Sequence, residues 1–152
     1  GNTDIHGVYN QTYRTDKQYG PMTIVFAHER SAEGIKEALF ANRSVVKFGD
    51  MLIGSENNLK ALVKACLPYK IRLIKGNEAI MEINNKSTLS FYMQLNNKTI
   101  SILGSSYVEF KIRLDDKIRF TNTFITDNCQ LEIEIAGHKI KQFTNTLILH
   151  SL

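Results

Sequence analysis

With 152 residues, 43% of them apolar and 22% charged, the chain has the composition of one or two small folded domains, which argues against a disordered chain. No apolar run approaches the roughly 18 residues of a membrane span, so none is expected. The net charge of +4 is scattered rather than gathered. Lys70, Arg72 and Lys75 on one candidate strand and Lys111 and Arg113 on another interleave with Glu78, Glu82, Glu109, Glu132 and Glu134, the pattern of a solvated sheet and not of a nucleic-acid face.

Near the start stands "NTDIHG". In an extended segment, residues two apart project to the same side, so the carboxylate of Asp4 and the imidazole of His6 can converge on one cation. Next comes "MTIVFA", a short continuous apolar run of the kind expected for a strand buried on both faces. "ERSAEGIKEALFAN" follows as a helix, with Ser31 placed to cap it and Ile35, Ala38 and Leu39 as its apolar stripe. "RSVVKFG" returns to a β-branched strand, and "GDMLIGS" reads as a connection, since it lacks the Gly-Lys-Ser/Thr ending of a phosphate cradle. A second helix, "SENNLKALVKACL", is capped by Ser55 and lines Leu59, Leu62, Val63 and Cys66 along one face. Pro68 ends it, because proline cannot continue a helix.

Beyond Pro68 the period changes to two. Ile71 and Leu73 alternate with Lys70 and Arg72, and Leu89, Phe91, Met93 and Leu95 with Ser90, Tyr92 and Gln94. Val108, Phe110, Ile112 and Leu114, then Leu131, Ile133 and Ile135, repeat the pattern. Turn clusters rich in Asn, Asp and Gly ("KGNE", "NNKS", "LNNK", "LDDK", "TDNC") separate them. Such alternation buries one face of each strand and wets the other, which two packed sheets satisfy. The expected fold is α+β: a short β-α-β-α segment followed by an immunoglobulin-like antiparallel β-sandwich, with domains at 1–67 and 68–152. Cys66 and Cys129 allow at most one disulfide and form no CxxC pair; Cys66, on an apolar helix face, reads as a buried thiol.

"NTDIHG", followed by "GPMTIVFAHERSAEGIKEALFANRSVVKFGDMLIGS", resembles the C-terminal end of polymerase-and-histidinol-phosphatase (PHP) domain proteins, in particular exported PHP-like phosphoesterases of Bacteroidetes-type bacteria. In "EALFANRSV", Asn42 stands where that family more often has glycine, and both residues tolerate a left-handed helix terminus. A weaker resemblance covers "AIMEINNKSTLSFYMQL" and "IRFTNTFITDNCQLEIEIAG", which look like the β-domain that follows the barrel.

The resemblance implies that residues 1–67 are the end of a PHP-type β/α barrel, that Asp4 and His6 are metal ligands, and that the rest of the barrel is their partner. It implies a divalent metal (Zn, Mn or Fe) and a phosphoester substrate in the full-length parent, and an exported or periplasmic location. The family's H-x-H pair is missing, and His28, His138 and His150 do not complete a site. Two donors fall short of the three protein ligands of a catalytic zinc site, so the chain alone is expected to be inactive, to hold no tight metal and to act as an accessory. Without the barrel, residues 1–20 are expected to be mobile. The alternative is a stand-alone β-sandwich that binds carbohydrate or a protein partner, with Tyr69, Tyr92 and Tyr107 as an aromatic platform.

Overall fold

A computed structural model describes residues 21–135. Its elements are β1 (Met22–Val25), α1 (Ala32–Phe40), β2 (Ser44–Phe48), β3 (Met51–Gly54), α2 (Glu56–Cys66), β4 (Tyr69–Lys75), β5 (Glu78–Asn84), β6 (Phe91–Leu95), β7 (Lys98–Ile102), β8 (Tyr107–Arg113), β9 (Lys117–Thr126) and β10 (Cys129–Glu134). The class is α+β, with strand prevailing and two helices among the described residues. The chain divides into two compact units, Gly1–Val63 with Thr121–Leu131, and Lys64–Phe120 with Glu132–Leu152. The expectations placed on residues 1–20 and on His138 and His150 lie outside the described residues.

In the first unit, Ser31 caps α1 as its sequence requires: its Oγ accepts a hydrogen bond from Gly34 N at 2.9 Å. The helix ends where Asn42 takes φ 55, the left-handed conformation that asparagine tolerates. Asn42 N and Arg43 N then donate to Leu39 O and Ala38 O, satisfying carbonyls of the last turn. The buried stripe is narrower than Ile35, Ala38 and Leu39 suggest. Gly34 and Ala38 are buried, while Ile35 and Leu39 stay 43% and 46% exposed. The reason is close approach: a Cβ on Gly34 would lie 2.7 Å from both the Cγ and the carbonyl oxygen of Glu29, so the helix seats on its smallest residues.

The strand of "MTIVFA" is not buried on both faces. Met22 and Thr23 are exposed and Ile24 and Val25 half-buried. It pairs antiparallel with β2, from Met22↔Lys47 to Val25↔Ser44. The chain reverses through the short helix α1 instead of crossing over to a parallel neighbour. "GDMLIGS" is also more than a connection. Gly49, at φ 56, starts a two-residue turn, and Met51–Gly54 returns as β3, antiparallel to β2 with Phe48↔Met51 and Val45↔Gly54. β3 then pairs parallel with β9 through Leu52↔Thr123 and Ile53↔Phe124. Asn122 fastens the same strand by donating to Asp50 O at 2.7 Å. Ser55 Oγ accepts from Asn58 N at the start of α2, as expected, and Asn58 Nδ2 reaches Asn42 O and Ser44 O at 2.7 and 3.0 Å.

The second unit carries two hydrogen-bonded arrays. In one, β6 lies between β7 and the first residues of β9, with Phe91↔Ile102 and Met93↔Phe120 in register. Residues in register share a face, and that face (Phe91, Met93, Leu95, Ile102, Ile118 and Phe120) is at most 5% exposed. The other array is β4-β5-β8, antiparallel throughout. There Ala79, Met81, Ile83 and Ile112 are buried on one face, and Lys70↔Glu82 and Ile80↔Lys111 lie on the other. The alternation read from the sequence is therefore real. It weakens at the margin: Leu73 on β4 is 51% exposed, because that strand has one neighbour and little to cover it.

Both cysteines are free thiols, Cys66 buried and Cys129 exposed. Burial pushes the Cys66 thiol up, against a smaller opposing effect of a hydrogen bond with Ser87. Iodoacetamide at neutral pH should therefore label Cys129 in the native chain and reach Cys66 only after denaturation. Mass spectrometry of the two tryptic peptides checks this, and equal native labelling would contradict the packing.

Candidate functional site

His28 is the histidine that falls among the described residues. It stands in the exposed bend between β1 and α1, where the tight return into the Ser31 cap turns it outward. Nearby, Arg43 forms a two-pronged pair with Glu37: Nη1 donates to Oε1 at 2.9 Å and Nη2 to Oε2, while Nε donates to Phe26 O at 3.2 Å. The guanidinium holds the Glu37 carboxyl below its ordinary value, with His28 adding a weaker pull in the same direction. Arg43 thus ties the end of β1 to α1. A single imidazole with one already-paired carboxylate makes no hydrolytic centre.

In the second unit, an open polar groove of roughly 600 Å³ is lined by residues including Gln94, Asn96, Asp116, Lys117, Arg119 and Glu132. Its charges answer one another. Arg119 pairs with Glu132 at 2.7 Å and Lys117 with Glu134 at 3.0 Å. Asp116 accepts from Arg113 N at 2.7 Å and from Asn96 Nδ2 at 3.1 Å. Asp115 is held below the usual carboxylate range by its own backbone N–H, then by Arg113 and Asn77. These contacts close the β8–β9 turn, and that is a structural task. Among the described residues, no three of His, Cys, Asp or Glu gather to hold a metal ion. Asp4 and His6, the candidate ligands, lie outside the described residues.

The tyrosines do not form one platform. Tyr69 shares a row with Ile83 and Val108, whereas Tyr107 is opposite Asn84, the next residue along β5. Adjacent strand residues face opposite ways, so these two rings project from opposite faces of the same array. Tyr92 lies on β6, in the other array.

Comparison with known proteins adds to this geometry. No family model matches the chain, and no curated protein does. A solved structure does. It is a two-domain protein from Bacteroides vulgatus that contains a predicted PHP-like metal-dependent phosphoesterase. The match covers 80% of this chain with a TM-score of 0.70 and 21% identity, a likeness of fold. This chain spans 40% of that protein's length.

One residue with a decisive role escaped sequence reasoning. Asn85, in the turn cluster "NNKS", is 1% exposed. Its Nδ2 donates to Leu89 O at 2.7 Å and Leu103 O at 2.8 Å, with Ile102 O at 3.4 Å, while its Oδ1 accepts from Ser87 N and Oγ. No sequence signal separates it from the asparagines of ordinary surface turns.

Proposed function

We propose that the chain is the C-terminal part of a PHP-like metal-dependent phosphoesterase, of the exported Bacteroidetes type, in which it serves as an accessory. One observation supports this reading: the fold resembles part, 40% by length, of a two-domain protein that contains a predicted PHP-like metal-dependent phosphoesterase. Asp4 and His6 are the residues we assign to the metal shell, as an Asp-x-His motif preceding β1. A divalent ion in such a shell activates water and clamps phosphate oxygens. No three of His, Cys, Asp or Glu gather among the described residues, and we assign the remaining ligands to another part of the parent polypeptide. The alternating strands of the second unit are proposed to form the accessory β-sandwich, with Tyr69 and Tyr107 on opposite faces of one array.

The test is the thermal midpoint of the purified chain with and without zinc or manganese. Ligands bound to the native state alone raise stability in proportion to the logarithm of their saturation. A shift near zero is expected. A large metal-dependent rise would mean that the chain holds a complete shell. The coding sequence of the parent should also carry an H-x-H pair ahead of Asp4.

A further inference from the structure

We infer that the apolar sheet face of the first unit, formed by β2, β3 and the last residues of β9, is the seat of the metal-binding domain of the parent polypeptide. The register defines the face. Val46 stands beside Ile53, Phe48 beside Met51, and Ile53 beside Phe124, so all five side chains project the same way. Lys47, the only charge on β2, is on the opposite row with Leu52, and neither β3 nor residues 121–126 carry any charge. The opposite face is well covered, with Val45 and Leu52 at 0% and 1% exposure. On the uncharged face, Phe48, Met51 and Ile53 remain 48%, 38% and 40% exposed. A sheet face that meets water normally alternates to polar residues; here Phe48, Met51 and Ile53 stand exposed side by side, bordered by Ser44, Asn122 and Thr126, and such an apolar row marks an interaction surface.

Two observations select the occupant. The two-domain relative has 60% of its length outside the match, room enough for a further domain. His6 precedes Met22 of β1 by sixteen residues, and β1 is hydrogen-bonded to β2. A domain sharing Asp4 and His6 is therefore tethered within about 60 Å of β1, and so close to the face, even at full extension. Such a tether gives an effective concentration on the order of millimolar, which a free second copy does not reach. The inference rests on the functional reading above.

Hydroxyl-radical footprinting tests it, comparing this chain with the longer parent polypeptide that carries the preceding domain. Oxidation of Met51 and Phe48 should fall to near background in the longer polypeptide, while Tyr69 and Leu73 of the second unit keep their rates. Ile53→Asp, at a half-exposed position, should leave the circular dichroism of the short chain intact and restore Met51 oxidation in the long one. Equal Met51 and Phe48 rates in both proteins would overturn the docking face and leave the functional reading standing. Protection of the short chain alone, lost on dilution together with a sedimenting dimer, would overturn it in favour of a second copy. A parent sequence without clustered histidines and carboxylates before Asp4 would remove the functional reading and this inference with it.

Discussion

Phe91→Ala should destabilise the chain by about 3–5 kcal/mol, a large share of the total stability of an ordinary domain. Phe91 is fully buried, and its ring meets Phe120 edge-on, centroids 6.2 Å apart and planes at 80°. Removing it forfeits the transfer free energy of the ring and leaves a cavity walled by Met93, Ile102 and Phe120. The edge-to-face pair adds a smaller increment, about 1 kcal/mol. Urea titration followed by circular dichroism checks the value. Phe91→Leu should recover most of it, and a loss below about 1 kcal/mol for alanine would show that this face is not the core.

The second large effect is expected at Asn85. Asn85→Ala should lower stability by about 2–4 kcal/mol, because the part-buried carbonyls of Leu89 and Leu103 and the buried one of Ile102 lose their shared donor, and Ser87 N and Oγ lose their acceptor. Asn85→Asp separates shape from hydrogen bonding. It is nearly isosteric, yet it sets a carboxylate against carbonyl oxygens and should cost at least as much at neutral pH. Wild-type stability in the aspartate variant would contradict the clamp. The same region explains a second sensitivity: a Cβ on Gly104 would lie 2.6 Å from Thr88 O, and backbone at that distance cannot simply turn aside.

What the sequence discloses follows from the range of the interactions involved. The caps of α1 and α2 are local, three residues from side chain to amide, and both were legible. So was the burial of Phe91, Met93 and Leu95 along β6, since period two in a strand is imposed by the backbone itself. β3 was not legible. Its three apolar residues, Met51, Leu52 and Ile53, are too few to show a period, and its parallel partner β9 lies some seventy residues away. Ile35 and Leu39 misled for a related reason: spacing states which residues share a face of α1, but the short approach at Gly34 decides how much of that face is covered. Asn85 belongs to the same class, a turn residue by composition and a core residue by contact. As for the candidate site, Asp4 and His6 rest on motif and resemblance, and the described residues add to them an uncharged face needing cover, not further ligands.

On the proposed function, hydrolytic chemistry requires donors beyond those in the chain. Its most direct measurement is release of phosphate from p-nitrophenyl phosphate by the purified chain, with zinc, manganese or iron(II) supplied in turn and chelator as the control. A rate equal to that of the metal alone in buffer is expected. Turnover by the chain that chelator abolishes and fresh metal restores would contradict it.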